Sequence, residues 1–472
     1  MNKKYSELVK NTGILTVANF SSKILVFLLV PLYTSILTTE EYGITDLIFS
    51  TVQLVVPIFT LNIADAVLRF TIEESKDSNG VLAISIKYTL ISLIPMLVLL
   101  ALTTVFSAYD TEKIHWTYIL LYYISYALNQ CLPTYAKGID KVRETAISGV
   151  ISTLTTVFSC IIFLVVLKKA ISGFLISNIL GQLAPVIYLF IKLNIIRKVR
   201  NYKNCNKRME KRMLLYSVPL IMTNIGWWIN NTSDRYIITY FYDVSLNGLL
   251  SVAYKIPSIL SIVAGVFIQA WQISAMKEYE KKGSKEFYRN VFLYLNVFLY
   301  FIAFGLIIMT RPLAYIAFQK EFYSAWVFVP FLLLSMVFTA NAGFFSPIIT
   351  SSYNTKDVAL STVYGAGANI VLNILLLKLI GPEGVAIATA ISGFIIMGYR
   401  YYVLHGLIEK KVFLRISVLW ILLIIQCMIE IFAFWYLEIP LGIIAFVIFR
   451  GEIIGIVRKG FIYFKSERKN ES

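Results

Sequence analysis

The chain has 472 residues, of which 58% are hydrophobic and only 15% are charged, and its formal net charge is +16. A soluble globular domain is roughly half apolar and about a quarter charged, so this composition excludes an ordinary soluble protein. We expect an integral membrane protein built of helices, because backbone amides in lipid must be satisfied within each spanning segment.

Apolar segments of about 20 residues, the length that crosses about 30 Å of hydrocarbon, recur along the whole chain. The fold class is therefore an all-α polytopic membrane protein with about 14 transmembrane helices. The predicted spans lie near residues 11–36, 43–69, 80–107, 114–134, 145–167, 171–193, 214–241, 246–273, 287–309, 325–349, 357–379, 384–406, 412–436 and 439–457.

Basic residues are concentrated at the two termini and in the loops after even-numbered spans, for example residues 197–212 and 277–289. Because positively charged loops stay in the cytoplasm, we expect both termini on the cytoplasmic side. This distribution accounts for the net charge without a nucleic-acid partner. The predicted external loops are short, which argues against a polytopic glycosyltransferase or polymerase and indicates that the protein is not an enzyme. The four cysteines and two histidines show no ligand spacing, so no metal or cofactor is expected.

An internal echo relates the two halves of the chain. Gly43 opens the second span and Gly248 opens the eighth, each after a short acidic loop, 205 residues apart. A second pair of similar segments aligns Gly173 with Gly384. Two repeats of six spans fit both pairs, and an even number gives the repeats the same orientation, as in transporters with parallel repeats.

Charged and polar side chains interrupt the first spans. Lys23 lies in the first span with Asn19 one turn earlier, and Lys87 lies within the third. Asp65 and Arg69 are spaced i, i+4 at the end of the second span, which lets them pair. A central charge costs about 2.5–3.5 kcal/mol on insertion scales, so it usually faces a cavity or a partner.

The polar run NNTSDR at residues 230–235 interrupts the seventh span. Asn224, Trp228, Asn231 and Arg235 advance by four, three and four residues, so they form one helical stripe with Asp234 beside it. Lys255 is similarly deep in the eighth span. Snorkelling bases and acid–base pairs that only fix helix packing are the structural alternative. The functional interpretation is a cationic, substrate-binding cavity lined by Lys23, Arg69, Lys87, Arg235 and Lys255, with Asn19, Asn224, Trp228 and Asn231 as its polar and aromatic lining.

Four segments carry a family resemblance: PLYTSILTTEEYG (31–43), ADAVLRF (64–70), NNTSDRYIITYF (230–241) and GLLSVAYKIPSIL (248–260). They resemble the polysaccharide (O-antigen and capsule, Wzx-type) flippases of the multidrug/oligosaccharidyl-lipid/polysaccharide (MOP, MATE-like) exporter superfamily. The arrangement of predicted spans is similar along the whole chain, whereas the amino-acid sequence is similar only in these segments.

The resemblance implies a MATE-like fold of two six-helix bundles followed by two C-terminal helices. The lobes would comprise residues 1–200 and 214–411, joined by a basic cytoplasmic linker at 201–213 and followed by residues 412–472, two helices with a basic tail. The implied cargo is an undecaprenyl-diphosphate-linked oligosaccharide, moved by alternating access to the outer leaflet of the bacterial plasma (inner) membrane. The glycan would serve O-antigen, capsule or lipopolysaccharide synthesis, with a polysaccharide polymerase and a chain-length regulator as implied partners.

Three alternative functions remain. A lipid II flippase shares the fold and differs in its cargo, a MATE-type drug exporter would need acids to dominate its cavity, and a glycosyltransferase or polymerase belongs to another class. Asp46, Asp65 and Asp234 are the candidates for ion coupling or charge pairing. Coupling to H⁺, coupling to Na⁺ and passive exchange are equally open.

Overall fold

The fold is helical throughout the described part of the chain. The computed structural model describes residues 25, 27–74, 77–106, 116–201, 207–278, 283–352, 355–404, 406–432 and 435–471, without the side chains of 103–106, 201, 273, 276, 277, 435 and 455–471. Within these ranges, ten helices are long and apolar enough to cross a membrane. The prediction of an all-α polytopic membrane protein is confirmed, whereas the total of fourteen spans and the side on which the termini lie stay predictions.

The chain divides into two compact units. The first extends to Thr232 and includes Val244–Gly248, and the second comprises Ser233–Asp243 and the residues from Leu249 onward. The predicted linker at 201–213 and the predicted lobe boundary at 214 differ from this division. Residues 207–217 form a helix that packs within the first unit, because Met209 and Met213 are buried in its core.

The first unit is built of α-helices with one π-helical segment at Ile161–Val166. Its helices are α1 (Val30–Ile36), α2 (Thr39–Phe59), α3 (Ile63–Glu73), α4 (Ser78–Ile91), α5 (Leu93–Phe106), α6 (Trp116–Gly138), α7 (Val142–Cys160), α8 (Ala170–Lys192), α9 (Ile195–Asn201), α10 (Lys207–Ser217) and the part of α11 (Leu220–Phe241) that precedes Ser233.

Helix α2 begins where the sequence places a capping signal. The Thr38 hydroxyl accepts a hydrogen bond from the Glu41 amide at 3.1 Å, and the Glu41 carboxylate accepts one from the Thr38 amide at 3.0 Å. This reciprocal capping box satisfies two of the amide groups that a helix start leaves unpaired. It explains why the short acidic loop TTEEYG leads directly into a span.

The predicted span at 43–69 is two helices rather than one. Helix α2 ends at Phe59, two residues after Pro57, and α3 begins at Ile63. Between them Leu61 and Asn62 have φ of 53° and 52°, a left-handed conformation that ends a helix. An unbroken span was therefore wrong, and the break places the Asn62 side chain at the start of α3.

The two glycines of the internal echo make a reciprocal contact within the first unit. A Cβ atom on Gly43 would lie 2.1 Å from the carbonyl oxygen of Val244, and one on Gly248 would lie 2.0 Å from that of Thr39. Asn247 Nδ2 also donates to the Gly43 carbonyl at 3.0 Å. Glycine is needed at both positions because only its missing side chain lets these backbones approach so closely.

The second unit is also helical in its described part. It contains the last residues of α11 and the second half of α12 (Val244–Ala253), followed by α13 (Lys255–Glu278), α14 (Ser284–Ile308), α15 (Thr310–Ala317), a 3₁₀-helix (Lys320–Phe328), α16 (Val329–Ser351), α17 (Thr355–Ile380), α18 (Gly384–Val403), α19 (Lys410–Ile431), a short 3₁₀-helix (Trp435–Leu437) and α20 (Glu438–Glu471).

Helix α16 forms the core of the second unit and is buried along most of its length. Arg400 of α18, only 2% exposed, ties it to its neighbours. Its guanidinium donates to the Ala342 carbonyl at 2.8 Å and to the hydroxyls of Ser346 and Ser361 at 2.6 and 2.8 Å. A planar group with five donors can join three helices in this way.

The last two helices pack against each other and against α14. Arg415 of α19 pairs with Glu452 of α20 at 2.8 Å. Glu452 belongs to the predicted final span, and its pairing with Arg415 lowers the free-energy cost of a charged side chain in that apolar segment.

Candidate functional site

A polar cavity of about 370 Å³ lies in the first unit. Helices α2, α3, α6 and α11 and the break between α2 and α3 contribute its walls. The volume is within the range of small-molecule sites, roughly 300–1,000 Å³. The lining residues are Gln53, Val56, Pro57, Thr60, Asn62, Ala64, Asp65, Tyr126, Gln130, Asn224, Trp227, Trp228, Asn231 and Thr232.

The helix break supplies the centre of the polar network. Asn62 Nδ2 donates to Asp65 Oδ2 at 2.7 Å, and Asn224 Nδ2 donates to Asn62 Oδ1 at 2.9 Å and to Asp65 Oδ2 at 3.3 Å. Ser217 donates to the Leu61 carbonyl at 2.8 Å, which satisfies one backbone group that the break leaves open. The two amides and the carboxylate are therefore fixed relative to one another.

The polar stripe predicted on the seventh span forms part of this cavity. Residues 230–235 lie within the continuous helix α11, so the polar run is a helix face and not a loop, as predicted. Trp228 Nε1 donates to the Ser50 carbonyl at 2.8 Å, which fixes the indole against α2. Asn231, which lines the cavity, donates from Nδ2 to the Trp227 carbonyl at 2.7 Å.

Amides and aromatic rings, rather than charges, dominate the lining. Five carboxamides and three aromatic side chains line the cavity, and in the described residues Asp65 is its one ionisable side chain apart from the Tyr126 phenol. Amides offer both donors and acceptors, and indole or phenol rings offer an apolar face with a polar edge. The arrangement suits a neutral ligand with many hydroxyl groups and ring faces.

The predicted pairing of Asp65 with Arg69 does not occur in the described structure. Asp65 accepts from two amides, and Arg69 instead approaches Glu73 one turn farther along α3 at 3.8 Å. The Arg69 guanidinium also lies 4.7 Å from the centre of the Tyr216 ring. Both favourable contacts of Arg69 lie beyond the cavity, so spacing alone gave the wrong partner.

Lys87 lies in a different cavity of the first unit. Its Nζ is 2.8 Å from Glu210 Oε1, and the side chains that surround it belong to α4, α10 and the two residues after α10. The structure therefore does not bring Lys87 to the amide-lined cavity. Its predicted contact with the cargo stays a prediction.

The remaining bases belong to the second unit or lie outside the described residues. Arg235 lies over the Tyr254 ring at 5.9 Å, and Lys255 is the next residue along the chain, at the start of α13. Asp234, only 3% exposed, accepts the Tyr254 hydroxyl at 2.5 Å and the Arg235 amide at 2.9 Å. Asp46 is half-buried on α2 outside the cavity lining. The predictions for Lys23 and Asn19 fall outside the described residues.

Sequence reasoning missed several residues of the cavity. Gln53, Asn62, Tyr126 and Gln130 were not predicted, because amide and aromatic residues were considered only where they share a helix face with a charged residue. Gln130 follows Tyr126 by one turn of α6, so both fall on one face. An amide within an apolar span was the available signal.

Several solved structures share this fold. A structure described as lipid II flippase MurJ in an inward closed conformation has a TM-score of 0.69 and 19% identity, over 95% of this chain and 99% of its own. A MATE transporter from Vibrio cholerae has a TM-score of 0.58 and 13% identity, over 86% and 99%. A MOP superfamily transporter from Pyrococcus furiosus has a TM-score of 0.57 and 13% identity, over 87% and 96%. These identities establish the fold alone.

The sequence comparisons concern the family. No curated protein sequence matches the chain significantly. The family model for polysaccharide biosynthesis proteins matches residues 8–272, which is more than half of the chain and includes every residue that lines the cavity. The chain therefore belongs to the polysaccharide biosynthesis protein family.

Proposed function

We propose that the protein is a flippase for undecaprenyl-diphosphate-linked oligosaccharide repeat units. It moves them from the inner to the outer leaflet of the bacterial plasma membrane, for O-antigen, capsule or related lipopolysaccharide synthesis. The observation that carries the proposal is the amide- and tryptophan-lined cavity in a multi-pass member of a polysaccharide biosynthesis family. A glycan with many hydroxyls cannot cross hydrocarbon bare, and such a cavity replaces its hydration.

The glycan and the diphosphate of the cargo require different kinds of side chain. Asn62, Asn224 and Asn231 offer amide groups to sugar hydroxyls, while Trp227 and Trp228 offer ring faces. The diphosphate needs charge-assisted hydrogen bonds, which Lys and Arg side chains supply. In this proposal Lys23, Arg235 and Lys255 serve the diphosphate at other stages of alternating access, and the lipid tail stays in the bilayer.

The nature of the lining also bears on the alternatives. A cationic drug would be held by ionised acids, yet Asp65 already accepts two amide hydrogen bonds and is outnumbered by five carboxamides. The MurJ-like fold fits a lipid II flippase as well, which shares the carrier and differs in the headgroup. The proposed action is transport without covalent chemistry, so no nucleophile is assigned. Of the three acids considered for ion coupling, Asp65 is the one that lines the cavity.

The test is the analysis of lipid-linked intermediates after deletion of the gene in its native cell. We expect the complete repeat unit to accumulate on its carrier, inaccessible to impermeant reagents, with loss of surface glycan. Incomplete units would indicate a glycosyltransferase, and loss of cell-wall synthesis with intact surface glycan would indicate a lipid II flippase. Unchanged intermediates with increased drug sensitivity would indicate an exporter.

Complementation by variants links the result to the cavity. Asn224→Leu removes an amide from the lining. Asn178→Leu removes an amide from α8 that is not part of the lining, because the Asn178 side chain donates to the Phe174 carbonyl. We expect surface glycan to return fully with the second variant and only at a reduced level with the first. Equal rescue by both would remove the cavity from the proposal.

A further inference from the structure

A second cavity of the first unit, about 610 Å³ in volume, combines basic and apolar side chains. It lies between α4 and α10 and extends along the two residues that follow α10. Its lining contains no carboxamide and no aromatic ring among the described residues, in contrast to the polar cavity described above. The lining residues are Lys87, Lys207, Glu210, Lys211, Leu214, Leu215, Val218 and Pro219.

The one acid of this lining is already compensated. Glu210 Oε1 accepts the Lys87 ammonium at 2.8 Å and the Tyr88 hydroxyl at 2.7 Å. The Glu210 side chain is 15% exposed and that of Lys87 is 45% exposed. Because Lys87 neutralises Glu210, the remaining charge of the cavity is that of Lys207 and Lys211.

Lys207 and Lys211 are both exposed, and neither has an ion-pair or hydrogen-bond partner among the side chains that the structure describes. They advance by four residues toward Leu215, so the three lie on one face of α10. Eight residues of helix rise about 12 Å, which separates a basic end from an apolar end. At the apolar end Leu215 and Val218 are 67% and 42% exposed.

We propose that this cavity binds an anionic glycerophospholipid of the bilayer. The lipid phosphate lies between Lys207 and Lys211, and an acyl chain lies along Leu214, Leu215 and Val218. The positive charge of the two lysines complements a compact anionic headgroup. The separation of the basic end from the apolar end fits a lipid whose headgroup and acyl chain lie along α10. A glycan headgroup does not fit, because the described walls offer no amide or aromatic ring to sugars.

The test compares lipid retention by the full-length protein and by a charge-neutral variant. Purified protein in neutral detergent is titrated with phosphatidylglycerol or phosphatidylcholine, and bound lipids are counted by native mass spectrometry. K207Q/K211Q removes both charges from the cavity. K410Q/K411Q is the matched control, because it removes two exposed lysines at the start of α19 in the second unit.

We expect the wild type and the control to retain phosphatidylglycerol over phosphatidylcholine. One lysine near an anionic lipid contributes about fivefold in affinity, so K207Q/K211Q should lose between about 5- and 25-fold of this preference. A substitution of Leu215 by Gln should weaken retention of both lipids. Monodisperse elution of each variant shows that it is folded.

Three outcomes would overturn the proposal. One is equal retention of the two lipids by the wild type, and another is the same loss of preference in the control variant as in K207Q/K211Q. Displacement of phosphatidylglycerol by millimolar inorganic phosphate would indicate a site for the free ion. None of these results depends on which glycan the protein transports, so they are separate from the test of the proposed function.

Discussion

Substitution of Asn224 by leucine tests the amide network at the helix break. The change removes a 2.9 Å hydrogen bond to Asn62 and a 3.3 Å hydrogen bond to Asp65. A neutral hydrogen bond contributes about 0.5–1.5 kcal/mol, and one to a charged group about 1.5–3 kcal/mol. Because Asp65 is exposed and its bond is long, we expect the lower end of the second range for that bond, and a total loss of about 2–3 kcal/mol of unfolding free energy.

The effect on transport should be distinguishable from the effect on folding. A cargo hydroxyl left without its partner costs about 1–3 kcal/mol, which is roughly 5- to 150-fold in affinity. We therefore expect Asn224→Leu to be present in the membrane at normal level while outer-leaflet delivery of the lipid-linked glycan falls by at least about fivefold.

The assay measures accessibility of the lipid-linked glycan to an impermeant sugar-oxidising reagent in spheroplasts. Membrane abundance and the thermal unfolding of the detergent-purified protein are measured in parallel. Asn178→Leu, which also removes one amide from the first unit, should leave delivery unchanged. Normal delivery by Asn224→Leu, or an equal defect in both variants, would refute a cargo-binding role for the network.

Three further predictions concern packing, charge and topology. Gly248→Ala adds a Cβ 2.0 Å from the Thr39 carbonyl oxygen and should lower the unfolding temperature, whereas Gly226→Ala, with no atom within 4 Å, should not; equal unfolding temperatures would show that the contact yields easily. Arg235→Ala should abolish surface glycan without loss of the protein from the membrane, and unchanged glycan would remove Arg235 from the cargo path. Cys205 belongs to a loop predicted to be cytoplasmic, so it should react with an impermeant thiol reagent only after permeabilisation. The other three cysteines are buried and should not contribute to the labelling. Labelling of intact cells would contradict the predicted topology.

The polar stripe on α11 shows how far helical periodicity reaches. Residues four and three apart fall on one face of any α-helix, so the spacing of Asn224, Trp228 and Asn231 is enough to place them together. In the structure these three residues line one cavity. Periodicity did not reveal Asn62, because its position depends on a helix break that hydropathy does not detect.

Charge pairing was the least predictable feature. Asp65 and Arg69 have a favourable spacing, yet Asp65 bonds to Asn224, which is 159 residues away along the chain. Lys87 likewise pairs with Glu210 across 123 residues. Spacing within one helix describes the neighbours that a side chain can reach, and only packing decides which neighbour it takes.

Composition, apolar segment length and the polar helix face were determined by the sequence itself, because the cost of placing side chains in lipid is a local, additive property of the chain. The left-handed break at Leu61 and Asn62, the reciprocal contact of Gly43 with Gly248 and the burial of Arg400 among hydroxyls were decided by tertiary structure. The glycine contact and the hydrogen bonds of Arg400 join groups from distant parts of the chain, and the carbonyl that the break leaves open is satisfied by the distant Ser217, so no short window of sequence contains both partners.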